Sequence, residues 1–206
     1  MMFHGKLSKI RAKLKSENPE ERFAAVKDLE ERRGKKVAEL LEETLNDPSP
    51  AVRRRAVNAL LEGGSREAIP PLIRALNDKD KKVRWMAAYA LGGLGEEGYE
   101  EAFDAIVKAL DDEDWNVRRI VALQLRHSKP EVLDPLLKAI KDQNLFVRQY
   151  AAFGLGRTHN TGAVKVLVRA LRDDVREVRD YAGWALDLIA KKNNILSRGK
   201  LIKLYG

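Results

Sequence analysis

The chain has 206 residues, 44% hydrophobic and 34% charged, with no cysteine and a net charge of +8. That length suits one domain with a continuous core or a short repeat array, and the apolar content argues against disorder. The lack of cysteine excludes disulfides and thiolate metal sites, and no run approaches the roughly eighteen apolar residues of a transmembrane helix.

The opening MMFHGKLSKIRAKLK is basic but has no apolar block of about 7–15 residues, so it does not read as a secretory signal. With no cysteine either, the expected location is cytoplasmic. Glutamine occurs only at Gln124, Gln143 and Gln149, and a charge-rich chain poor in Gln and Cys has a thermophile-like composition. The charge is uneven: residues 1–16 and 188–206 each carry five cations and no acid, which leaves −2 for residues 17–187.

Residues 144–156, NLFVRQYAAFGLG, contain a Val-Arg-x-x-Ala-x-x-x-Leu pattern that recurs along the whole chain. Aligned on its arginine, the pattern gives Arg22, Arg53, Arg84, Arg118, Arg148 and Arg179, at spacings of 31, 31, 34, 30 and 31 residues. Six residues before the last five stand Asp47, Asp78, Asp112, Asp142 and Asp173, whereas the first unit has Ser16. An aliphatic residue lies eight before each arginine and a leucine seven after it, so four columns keep register over six units.

Each unit reads as two helices. In chain order the units fall at about 6–34, 35–64, 65–98, 99–129, 130–160 and 161–192. The first helix of unit one is the basic segment 6–14, with Ile10 and Leu14 in the aliphatic columns; VAELLEETL, IPPLIRAL, AFDAIVKAL, VLDPLLKAI and AVKVLVRAL are its later counterparts. Turns such as NDPSP, NDKD and DDED follow, where an aspartate can cap the second helix. GGLG and GLG come at the far end of second helices and read as C-terminal caps rather than phosphate loops. Residues 193–206 fit no column and serve as a cap for the last core face or as a basic-apolar tail; Leu201, Ile202 and Leu204 favour the cap.

The run Ala87, Ala88, Ala90, Leu91, Gly92, Leu94, Gly95, preceded by Asp78, Val83 and Arg84, closely resembles the short HEAT-like repeats also named after phycobilin (PBS) lyases. The resemblance covers about residues 6–191. It implies an all-α, right-handed solenoid of about six helix pairs whose second helices line a concave face. It also implies that the recurrent Asp and Arg form a structural ladder between units. Unit one lacks the Asp and unit four has Leu125, Arg126 and His127 in place of Gly-x-x-Gly, so both are expected to be less regular.

At about 100° per residue from the arginine, columns −1, +3, +6 and +7 fall on one side and hold Val, Ala and Leu: the core. Columns +1, +2, +5 and +9 fall on the other. They gather Trp85, Tyr89, Ile120, Leu123, Tyr150, Phe153, Tyr181 and Trp184, with Arg54, Arg55 and Arg119 among them. Solvent-facing helix positions do not collect aromatics without cause, and the causes are partner binding or sideways packing.

The expected function is a non-enzymatic scaffold or adaptor that takes a peptide or protein partner on the concave face, with no cofactor. The alternative is nucleic-acid binding, possibly as a HEAT-like alkylpurine DNA glycosylase with Asp180 beside Tyr181 and Trp184. Against it, the face columns hold Lys27, Arg54, Arg55, Arg119 and Arg157 against Glu31, Glu62 and Asp180, only +2. A chromophore lyase subunit ranks third, on the repeat alone. His4, His127 and His159 lack ligand spacing, so no metal site is expected.

Overall fold

In the computed structural model residues 2–30, 32–125, 130–195 and 197–206 are described. The side chains of His4, Glu31 and His127, and the break at Arg126 and His127, lie outside the described part. Among the described residues there are thirteen α-helices and no strand. The protein is an all-α solenoid of helix pairs. It divides into two compact units, Met1–Ile106 and Val107–Gly206.

In the first unit the pairs are α1 (Met2–Lys13) with α2 (Pro19–Glu30), α3 (Lys35–Thr44) with α4 (Pro50–Gly63), and α5 (Ile69–Ala75) with α6 (Lys81–Glu96). The boundary falls inside α7 (Glu100–Lys108), the first helix of the fourth pair, whose second helix is α8 (Trp115–Gln124). The second unit continues with α9 (Leu133–Ala139), α10 (Leu145–Thr158), α11 (Val164–Ala170) and α12 (Arg176–Lys192). A last helix, α13 (Arg198–Tyr205), packs on α11 and α12 with Leu201 fully buried. The first helix starts at Met2, before the basic columns that suggested it.

Second helices stack on second helices: α2 on α4 and α4 on α6 in one unit, α8 on α10 and α10 on α12 in the other. The repeated leucines Leu29, Leu60, Leu91, Leu125, Leu155 and Leu186 are the buried spine, each contributing roughly 1.5–3 kcal/mol of transfer free energy. Alanines at Ala56, Ala87, Ala151 and Ala182 are fully buried and let the helices approach closely. The helices begin where the chain supplies a cap or a proline. Asp80 accepts from the Lys82 and Val83 amides at 2.9 and 3.1 Å, Asp114 from Asn116 at 2.9 Å and Asn144 from Phe146 at 2.9 Å, while Pro50 opens α4.

The repeated aspartate stands two residues earlier than these caps and has two tasks. One carboxylate oxygen closes its own turn, accepting the amide two residues on: Asp47 from Ser49, Asp78 from Asp80 and Asp142 from Asn144, each at 2.8 Å. The carboxylate also receives the arginine of the preceding pair as a fork. Arg53 Nε and Nη2 reach Asp78 at 2.7 and 2.8 Å, and Arg148 reaches Asp173 at 2.8 and 2.8 Å. Arg22–Asp47 and Arg118–Asp142 repeat this at 2.6 and 3.0 Å and at 2.7 and 3.0 Å. The third guanidinium nitrogen holds the arginine's own turn: Arg53 Nη1 donates to the Asp47 and Pro48 carbonyls at 2.7 and 3.3 Å.

Where the first pair has Ser16, its hydroxyl still accepts the Asn18 amide at 3.1 Å, so the turn survives and only the charge is gone. Burial opposes ionisation of Asp78, Asp142 and Asp173, but their arginine forks and turn amides outweigh it and hold all three carboxyls below the ordinary value of 3.8.

Two expectations are corrected. The glycines of GGLG and GLG lie inside α6 and α10, not at caps. The left-handed residue that ends α10 is His159, at φ 54°, and Gly64 does the same for α4 at φ 53°. Gly156 is needed for close approach instead: a Cβ there would lie 2.7 Å from Ala185 Cα and 2.8 Å from its Cβ. Ile120, counted with the outward columns, is only 3% exposed and belongs to the core. Its column, at about 200° from the arginine, borders the buried sector, and a branched aliphatic there turns inward.

Candidate partner-binding face

In the first unit, the outward columns of α2, α4 and α6 hold Phe23, Arg54, Arg55, Trp85 and Tyr89. Phe23 is half-buried under Arg55, whose guanidinium carbon lies 5.4 Å from the ring centroid. Arg55 also pairs with Glu30 through one nitrogen and one oxygen. Arg55 Nε and Glu30 Oε1 are buried without a hydrogen bond, so this pair lacks the fork geometry of the ladder. Arg54 is half-buried and makes no ion pair with a described residue. Trp85 and Tyr89, one turn apart on α6, stack at 6.3 Å and 11°, with Tyr89 46% exposed.

In the second unit the rings of two helices meet. Phe153 of α10 stacks on Trp184 of α12 at 4.9 Å and 7°, and Tyr181 approaches Phe153 edge-on at 5.9 Å and 85°. Trp184 is 38% exposed, while Tyr150, Phe153, Tyr181, Arg119 and Leu123 are half-buried. Gly156 sets this contact, because the same absent side chain would touch the Trp184 ring at 3.3 Å. Of the eight apolar positions singled out in the sequence, Phe153, Tyr181 and Trp184 form one cluster, Trp85 and Tyr89 another, and Ile120 is lost to the core.

One aromatic pair lies outside those columns. Trp115 and Phe146, in the first turns of α8 and α10, stack at 5.7 Å and 21° and are both exposed. Trp115 sits three residues before Arg118, where other units carry Pro50, Lys81 or Arg176, and Phe146 sits two before Arg148, where they carry Ala51, Lys82 or Glu177. A column count misses them because neither column is aromatic elsewhere; a scan for exposed aromatics at helix starts would have found them.

The remaining candidates carry less chemistry. Asp180 is largely exposed and lies 3.5 Å from Arg176 one turn earlier, a solvated helix pair. Two clefts in the first unit, lined by Glu39, Glu42, Arg74 and Asp78 and by Arg11, Lys15, Glu43 and Asp47, flank the ladder. Much of their charge is already paired, Arg74 with Glu42 and Arg11 with Glu43. Among the described residues no group of three His, Asp or Glu is placed to hold a metal, and no helix is long and apolar enough to cross a membrane.

A profile of HEAT repeats matches residues 7–92, 37–126, 69–144 and 103–187. A search of curated proteins returns no match. Among solved structures the chain is similar to Escherichia coli YibA, at 23% identity and TM-score 0.65, over 92% of this chain and 72% of that one. It is similar to an engineered protein at 23% identity and TM-score 0.60, over 90% and 97%. A designed armadillo repeat protein solved in complex with the peptide (KR)4 aligns at 20% identity and TM-score 0.60, over 88% and 98%. At these identities the likeness speaks for the fold alone. The profile matches together run through all six helix pairs, and the chain belongs to the HEAT-repeat family.

Proposed function

We propose that this protein is a non-enzymatic scaffold that binds a peptide or protein segment on the outward face of its second helices. The observation that carries the reading is the Phe153–Tyr181–Trp184 cluster. Three rings from two helices are joined where a solenoid without a task would carry polar side chains, and Trp184 remains 38% exposed. Rigid aromatic area of this kind supplies contact at low entropic cost, and it is what interface hot spots are made of. The fold accommodates such a role, as the designed armadillo repeat protein with its bound peptide illustrates. A cytoplasmic location goes with this reading, supported by the cysteine-free composition.

The test is selection of peptides from a random displayed library on the purified protein, followed by anisotropy titration of the winners. Trp85→Ala/Trp184→Ala is expected to weaken their binding at least about ten-fold while leaving the helical circular dichroism unchanged. Equal affinity for wild type and variant would overturn the reading.

A further inference from the structure

The net charge of +8 is not shared between the two units. The second holds 19 Lys and Arg against 12 Asp and Glu, a net +7, while the first holds 20 against 19, a net +1. Half of the acids of the second unit already face a cation of their own unit. Asp142 and Asp173 lie in the ladder, Asp174 also reaches Arg148, and Asp111, Asp180 and Asp187 pair with Lys138, Arg176 and Arg198. The uncompensated charge is therefore cationic.

Part of it lies beside the rings. Arg157 is one helical turn beyond Phe153, Lys191 two turns beyond Trp184, and Arg119 stands on α8, next to α10. None of the three makes an ion pair or side-chain hydrogen bond with a described residue. Arg157 and Lys191 sit in last turns, where the helix dipole alone favours a cation. Arg119 does not: it is the fifth of the ten residues of α8, outside the last turn. Its position answers to no internal acid and to no helix end.

We infer that the segment taken by the second unit's face is acidic, with Asp or Glu side chains pairing with Arg119 and Arg157 while an apolar side chain covers the outer face of Trp184. The inference rests on that face being a docking surface. Arginine is suited to it, because its planar fork takes a carboxylate through two donors, as the ladder does four times within the units. Unpaired cations at the rim of an aromatic patch select the partner by charge and speed its approach. A nucleic acid fits less well. Phe153 and Trp184 lie parallel at 4.9 Å, so each ring face turned to the other is taken and no base enters between them. Three cations spread over three helices also make a short phosphate track.

The experiment reads the composition and the charge dependence of the same selected peptides. The expected result is enrichment of Asp and Glu over the naive library, together with an apolar residue. Arg119→Gln/Arg157→Gln then weakens the acidic peptides about ten-fold, and raising the salt narrows that gap. Selected peptides that are neutral or basic, yet lose affinity on Trp184→Ala, overturn the acidic partner and leave the docking face standing. Peptides that bind wild type and Trp184→Ala alike remove the docking face, and this inference with it. A 12-nucleotide single strand that binds more tightly than every selected peptide, and competes with them, assigns the cations to phosphate instead.

Discussion

On the first unit's face Arg55 lies over Phe23 and reaches back to Glu30, so the one aromatic of α2 is covered by a cation that an acid already holds. On the second unit's face the column of Arg55 carries Tyr150 and Tyr181. There the rings of α10 and α12 lie on one another, and Arg119 and Arg157 make no ion pair with a described residue. Both faces come from the same positions of the same repeat. The fold requires the buried columns and the ladder; it leaves the outward columns open, and one unit closes them on itself while the other does not.

The largest way to break both units at once is acid. Asp78, Asp142 and Asp173 are held below 3.8 in the folded state, so their contribution is full above 3.8 and is lost as the pH falls through their folded values. Both units carry such a group, and a urea midpoint flat from neutral pH to about 5 that drops steeply below 3.8 is expected. A midpoint unchanged at pH 2.5 would mean that the forks do not stabilise the array.

Next in size is Arg53→Ala, which leaves Asp78 buried without its fork and should cost roughly 3–5 kcal/mol in urea unfolding. Arg179→Ala sharpens this. Arg179 holds the Asp173 and Asp174 carbonyls at 2.7 and 3.0 Å but no carboxylate among the described residues, and about 1 kcal/mol is expected. Equal costs would show that the ladder works through its turns rather than its charges.

Smaller again is Gly156→Ala, where the new Cβ meets Ala185 backbone. A cost of roughly 1–3 kcal/mol is expected, with a shift in Trp184 emission in a variant whose other tryptophans are replaced by Phe. Gly93→Ala, on α6 beside Tyr89 with nothing within 4 Å, should instead stabilise by about 0.5–1 kcal/mol. The direct test of the two faces is Arg55→Gln against Arg119→Gln/Arg157→Gln. The first strands the buried Glu30 carboxylate and should cost about 1–3 kcal/mol of stability. The second pair should change stability within about 0.5 kcal/mol and act on binding alone.

The helix pairs were legible because their columns recur: Leu91, Ala87 and Arg84 are where a period of about 31 residues puts them. The fork between pairs, however, entered through the family resemblance, and distances alone show which arginine meets which aspartate. The glycines misled because local sequence does not say whether a neighbour helix comes close; only Ala185 opposite Gly156 decides it. Ile120 misled because its column lies on the edge of the buried sector. Glu30, which closes the first face, sits eight residues after Arg22 in a column that holds Leu61, Gly92, Arg126, Gly156 and Asp187 elsewhere, so its mixed chemistry gave a count of columns nothing to single out. Trp115 and Phe146 escaped for the same reason.

Each rung within a unit joins an arginine to the aspartate of the pair that follows, so the rungs have a direction. Ser16 keeps its turn without a charge, and Arg179 holds its own turn through Nη1 on the Asp173 and Asp174 carbonyls. A tandem duplication of one whole period, from one ladder position to its next counterpart, brings one ladder aspartate and one ladder arginine. It mends the rung it interrupts and leaves no new charge stranded. Length in such a chain is therefore a quantity that recombination can change in whole steps, without a second mutation to repair the join.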